Sequence, residues 1–146
     1  MKIATAERRP LWWDAVNAVQ TRQPIDGDAT ADVVIIGAGF TGLWCAYHLA
    51  SMNPGMKIVV LESHFVGFGA SGRNGGWCHA EYPLGHGQLA KDHGEERALA
   101  SMRALFQSVD DVGAIAAAEG IDCDFDKGGV LTVARTDFQG EYATQE

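Results

Sequence analysis

Cysteine is sparse in this 146-residue chain: there are three, at positions 45, 78 and 123, with no C-x-x-C pair and no even set. A small fold stapled by disulfides needs paired cysteines, so that class is excluded and a reducing compartment is expected. Cys45, inside an apolar helical stretch, reads as a small buried hydrophobe. Metal-ligand spacing is missing too. Cys78 adjoins His79, but no second ligand pair follows at zinc spacing. His79, His86 and His93 stand seven apart over a glycine-interrupted stretch, so no continuous helix face joins them and no metal is expected. No run approaches the ~20 apolar residues that a spanning helix needs. Arg8-Arg9 leads into Trp12-Trp13-Asp14 and Asn17, not into an apolar signal core. The expectation is a cytoplasmic protein with no membrane span and no secretory leader.

Positive charge is the other scarcity. Eleven Lys and Arg face nineteen Asp and Glu, for a net charge of -8. The imbalance is local: residues 1–80 carry six acids and six bases, residues 81–146 thirteen acids and five bases. Nucleic acid and anionic membranes both require a basic face, so neither is expected as a partner. The acidic excess reads as a solvated surface. In length the chain is one domain's worth, enough for one core burying about two-thirds of its unfolded surface.

What is present concentrates between Asp32 and Glu62, DVVIIGAGFTGLWCAYHLASMNPGMKIVVLE. Val33-Val34-Ile35-Ile36 is a β-branched run of the kind that forms a strand buried on both faces. It ends at Gly37, Gly39 and Gly42, spaced as G-x-G-x-x-G. In that motif the first glycine permits the tight turn, the second lets backbone approach a pyrophosphate and the third lets helix pack on strand. Leu43, Ala46, Tyr47 and Ala50 then recur at helical spacing, predicting one apolar stripe toward the sheet. Asn53-Pro54-Gly55 stops the helix. Ile58-Val59-Val60-Leu61 is a second buried strand, and Glu62 follows about 20 residues after the last glycine, where a ribose-binding carboxylate belongs. Strand, glycine turn, helix, strand and acid together specify a βαβ unit with a dinucleotide grip. Unpartnered N–H groups and the positive dipole end at the helix start supply its anion site.

Residues 67–76, GFGASGRNGG, hold five glycines in ten positions. A single turn needs one or two. The excess points to backbone passing close to something flat or anionic, with Ser71 and Asn74 supplying hydrogen bonds and Arg73 a charge. Interleaved Arg73, Asn74 and Trp77 make this poor composition for a flexible linker.

The flanks are plainer. Leu11–Val16 predicts a short helix or an extended arm, with Trp12 and Trp13 as packing anchors. Pro24 and Asp26-Gly27-Asp28 signal a turn into the sheet. Ala98, Met102, Leu105, Val109, Val112 and Ala116 alternate at four and three, predicting an amphipathic helix over 95–118 that starts after Gly94 and is stopped by Gly120. Gly128-Gly129 leads into a strand over 130–134, and 136–146 is a polar tail of no clear period.

The two glycine motifs flanking Glu62 resemble those of the FAD-dependent oxidoreductases of the D-amino-acid oxidase superfamily, in particular the gamma-glutamylputrescine oxidoreductase-like branch. Leu11–Asp14 (LWWD), ADVVIIGAGFTGLW, VGFGASGRNGGW, EGID and KGGVLTVAR extend the likeness over roughly residues 11–135. The resemblance implies an α/β fold: a Rossmann-like FAD-binding βαβ unit, then the glycine-rich loop, long helix and strand, in an incomplete sheet. It implies a layout of N-terminal extension (1–31), N-terminal part of the FAD domain (32–135) and tail (136–146), with the substrate domain absent. Carried over by position, Gly37, Gly39 and Gly42 hold the FAD pyrophosphate, with Ala38, Phe40 and Thr41 between them, and Glu62 holds the adenosine ribose, with Ser63 beside it. Gly69, Ala70, Ser71, Arg73, Asn74, Gly75 and Gly76 run along the pyrophosphate and ribityl chain toward the flavin.

The implied activity is oxidation of a carbon-nitrogen bond in a small amine or amino acid, with hydride passing to flavin N5 and the imine hydrolysed by water. No residue here matches a catalytic position, so the chain alone is expected to be inactive and to need a C-terminal part or a partner chain to complete the fold. Two other readings share the first motif: an NAD-linked dehydrogenase, and a non-catalytic nucleotide-binding subunit or remnant.

Overall fold

The computed structural model describes residues 11–15, 22–131 and 133–143. Arg8-Arg9, Val16, Asn17, Thr132 and the last residues of the polar tail lie outside them. Two compact units divide at Trp77 and Cys78.

In the first unit β1 (Val33–Ile36) and β2 (Ile58–Leu61) pair in parallel, with Val33 opposite Ile58 and Ile36 opposite Leu61. The crossover between them is helix α1, Phe40–Met52. Both ends of the ladder are tied. Asp32 N–H donates to Lys57 O at 3.0 Å while Lys57 N–H donates to Asp32 Oδ2 at 2.8 Å, and Gly37 N–H donates to Leu61 O at 2.7 Å. At the far end of α1, Asn53 N–H donates to Leu49 O at 2.9 Å and Met56 N–H to Asn53 O at 2.9 Å, so the Asn-Pro-Gly turn closes where its composition indicates.

Three expectations for this unit are corrected. The strands are not buried on both faces: β2 is half-buried throughout, and in β1 Val34 and Ile36 are 54% and 88% exposed. One helix covers one face of a sheet, and no described element of this unit covers the other. In α1 Gly42 stands against the strand and Ala46 and Tyr47 of the expected stripe are half-buried, but Leu43 and Ala50 are exposed while Trp44 and Leu49 are half-buried. Gly42 takes this place because only a residue without Cβ can lie so near the strand. Cys45 too is exposed, not buried.

In the second unit α2 (His86–His93) and α3 (Glu95–Ala118) pack together, burying Leu89 and Ala98. The predicted stripe of α3 is all buried or half-buried, Ala98 through Ala116. Its stop is a Schellman motif: Ile121 N–H donates to Ala116 O at 2.8 Å and Gly120 N–H to Ala117 O at 3.3 Å. Acidic Glu95 and Glu96 suit the positive start of α3. α2 corrects the reading of 86–93 as interrupted: Gly87 falls in its first turn, where little helical bonding is at stake, and Gln88 Nε2 donates to Asp92 Oδ2 at 2.7 Å. His86 and His93 thus share one helix. Among the described residues the strand expected over 130–134 does not form: Val130, Leu131 and Val133 are 70% exposed or more, and no described strand lies beside them to take their backbone groups. The tail instead includes helix α4, Asp137–Ala143. Among the described residues there is no helix long and apolar enough to cross a membrane, and no cluster of three or more metal-ligating side chains.

Candidate functional site: two glycine motifs at the start of α1

β1 delivers the chain to Gly37, whose φ of +102° lies in the region that disfavours any side chain. The chain then reverses through Ala38, which is 3% exposed, and enters α1 from Gly39. Gly42, in the first turn, stands so close to the strand that an added Cβ would lie 3.2 Å from Ile35 Cγ2 and 2.1 Å from Gly37 O. That contact with a carbonyl cannot be relieved by a rotamer change.

Glu62, at the end of β2, reaches back to this turn. Ala38 N–H donates to Glu62 Oε2 at 2.9 Å, while Glu62 Oε1 accepts from His64 N–H at 3.0 Å and Ser63 Oγ at 3.3 Å. Hydrogen bonds to the charged form favour it. The Ala38 N–H first, then the His64 N–H, hold the Glu62 carboxyl below its ordinary value of 4.5; partial burial opposes them and Ser63 adds to them. The carboxylate thus stays ionised beside the positive end of α1.

The second motif folds onto the first. Gly67 N–H donates to Ala38 O at 2.9 Å. Gly69 opens a single 3-10 turn, Ala70–Gly72, which brings Ser71 to the start of α1. Phe40 N–H donates to Ser71 Oγ at 2.8 Å. Gly39 makes room for this: a Cβ there would stand 2.8 Å from Ser71 Oγ. Gly37, Ala38, Gly39, Phe40, Gly42, Glu62, Ser63 and Ser71 are therefore brought together, with Thr41 in the first turn of α1.

The rest of the second motif is turned onto its own loop. Arg73 Nε donates to Phe68 O at 2.8 Å and its guanidinium carbon lies 5.2 Å from the Phe68 ring centre. Asn74 Nδ2 donates to Ser71 O, and Gly76 N–H donates to Asn74 Oδ1 at 2.8 Å. Gly75 has open space around it. His64 stacks on Phe68 with ring centres 3.9 Å apart, and Phe65 meets Phe68 edge-on at 5.2 Å. These aromatic partners were not singled out in the sequence; their signal is the spacing of Phe65 and Phe68 beside the acid.

In the first unit a hollow lined by Asp32 and Met52–Met56 lies at the opposite end of α1; the second unit has its own, lined by Gly113, Ala116, Ala117 and 121–125. Neither has the convergence of backbone N–H groups and an ionised carboxylate that the glycine turn shows. A helix start of this kind is chemically suited to an anionic group.

Comparison with known proteins agrees in kind. The family model described as FAD dependent oxidoreductase matches residues 32–146. Gamma-glutamylputrescine oxidoreductase of Escherichia coli strain K12 is 39% identical over 110 residues, 75% of this chain and 25% of that protein. A probable oxidoreductase OrdL of Haemophilus influenzae is 36% identical over 120 residues, 82% of this chain and 27% of that protein. A shorter match, 48% over 42 residues, is to thiamine thiazole synthase of Uromyces fabae, covering 29% of this chain and 12% of that protein. The chain spans about a quarter of the length of the first two relatives. No solved structure matches.

Proposed function

This chain belongs to the family of FAD-dependent oxidoreductases, and on that footing we propose that it forms the cofactor-gripping part of an enzyme that oxidises the carbon-nitrogen bond of a small amine or amino acid. The likeness to gamma-glutamylputrescine oxidoreductase supports this donor class. When bound, FAD supplies the two-electron acceptor. The chain's own residues bind and orient. Gly39 and the first-turn N–H groups of α1 other than that of Phe40 take the pyrophosphate, Glu62 takes the adenosine ribose, and the loop from Gly69 to Gly76 follows the cofactor toward its flavin end. Residues that hold the substrate or move its protons belong to other parts of the enzyme, from the same chain or a partner, and a reducing cytoplasmic setting suits the three unpaired cysteines.

The observation that carries this reading is the junction at α1. Glu62 and Ser71, from either side of the second glycine motif's entry, both bond to the turn that opens the helix. An NAD-linked dehydrogenase calls for the first turn and the acid but not for a second glycine loop seated on the helix start.

An absorption spectrum of the protein after incubation with excess FAD and desalting tests the proposal. A retained flavin band with resolved vibronic structure is expected. Retention of NAD in preference to FAD would overturn it.

A further inference from the structure

The short turn Leu11–Ala15 lies outside both glycine motifs, yet its tryptophans are seated on the second one. Trp12 Nε1 donates to Asn74 O at 3.0 Å across 62 residues of sequence. The Trp12 ring lies so near Gly76 that a Cβ there would come within 3.3 Å of it, and Gly76 has a φ of +82°. Trp13 packs on Phe65 with ring centres 4.3 Å apart and planes at 54°, and its Nε1 lies 4.0 Å from where a Cβ on Gly67 would stand. Both ends of the loop thus carry an indole. Asn74 is also the residue that bonds to Ser71 O, and Ser71 caps α1 at Phe40. One path of contacts therefore runs from Trp12 through Asn74 and Ser71 to the start of α1.

A ten-residue loop with five glycines has an unusually large conformational entropy to lose before it can present a fixed surface. Hydrogen bonds within the loop restrain Asn74 to Gly76 only relative to Ser71. Trp12 adds a rigid aromatic face and a directed donor from a separate element, which fixes that segment from outside.

We infer that Trp12 is a positioning residue for the cofactor: it holds residues 74–76 in the shape on which affinity for the flavin-bearing half of FAD depends, while the ADP half is served by the first glycine turn and Glu62. The inference rests on the proposed FAD function. Its consequence is a split between two ligands that share one half. A tryptophan that merely stabilised the unit would affect both alike.

The test uses Trp12→Phe, which keeps an aromatic ring and removes the indole N–H, and Trp12→Ala, which removes both. Dissociation constants for FAD and for ADP are measured on the purified protein by calorimetry, with amide hydrogen exchange followed in parallel. Loss of one hydrogen bond predicts FAD affinity about 3- to 10-fold weaker in Trp12→Phe, weaker still in Trp12→Ala, with ADP affinity unchanged in both. Exchange is expected to quicken over 74–76 and to stay constant in β1 and α1. Unchanged FAD affinity, or equal loss of FAD and ADP, overturns the inference. Wild-type protein that binds neither nucleotide overturns the FAD reading instead. Exchange then decides the arm's role: selective quickening over 74–76 in Trp12→Phe upholds it, and an unchanged loop overturns it.

Discussion

Ser71 Oγ lies 2.8 Å from the backbone nitrogen of Phe40 and caps a helix that begins 31 residues earlier in the chain. Helix starts are usually capped by the residue that precedes them, and here that residue is Gly39, which has no side chain to offer. The second glycine motif supplies the missing acceptor. The proposed cofactor grip and the local fold therefore share the same junction, so substitutions there have effects that can be separated by experiment.

Gly39 and Ser71 are coupled by space. Ala at position 39 would place a Cβ 2.8 Å from Ser71 Oγ, an overpacking expected to cost about 1–3 kcal/mol. Ser71→Ala by itself removes the cap and is expected to cost about 1 kcal/mol. In the double variant the crowding is gone, so the Gly39→Ala cost should shrink by at least ~0.5 kcal/mol. Urea unfolding of the four proteins reads this directly, and simple additivity would refute the geometry.

Gly42→Ala offers a sharper contrast. On an open helix surface the change would stabilise by about 1 kcal/mol through helix propensity. Here the new Cβ meets the carbonyl oxygen of Gly37 at 2.1 Å. The expected result is a net loss of about 1–3 kcal/mol in chemical denaturation, and any gain in stability would show that α1 stands farther from β1.

Glu62 should leave a signature in acid. Its folded-state carboxyl is held below the ordinary value of 4.5 by the Ala38 and His64 N–H groups. The stability it contributes is therefore fully present above pH 4.5 and is lost as the pH falls from there through the folded-state value. Glu62→Gln should be less stable than wild type near neutrality, with the difference narrowing as the pH falls below 4.5. A difference independent of pH, followed by urea unfolding at several pH values, would count against the hydrogen bonds described.

FAD affinity gives two further outcomes for the proposed site. Gly39→Val puts a side chain where the pyrophosphate is proposed to sit, and flavin content after desalting should fall to background. Glu62→Ala removes a charged acceptor and should weaken FAD binding by about 1.5–3 kcal/mol. Unchanged binding in either variant would move the pyrophosphate or the ribose elsewhere.

Much of the first unit was legible because its signals are local. A β-branched run, a glycine turn at Gly37, an Asn-Pro-Gly stop and a second apolar run each constrain the backbone within a few residues, and β1, α1 and β2 fall where those signals place them. The six-residue stripe and the Gly120 stop gave α3 its full span of Glu95–Ala118 for the same reason. Position 130–134 shows the limit. Val130-Leu131-Thr132-Val133-Ala134 has strand composition, but a strand exists only where another takes its hydrogen bonds, and pairing is not a local property.

The sequence by itself determined the βαβ order, the two glycine motifs and the acid between them, since spacing and residue type fix turns, helix starts and chain direction. Only the tertiary structure decided that α1 leaves Leu43 and Ala50 exposed, that Ser71 caps α1 and that Glu62 bonds to Ala38. It alone seated Trp12 on Asn74. Each of these joins residues well apart in sequence or depends on which neighbour can approach without a clash, and such relations come into being when the chain packs.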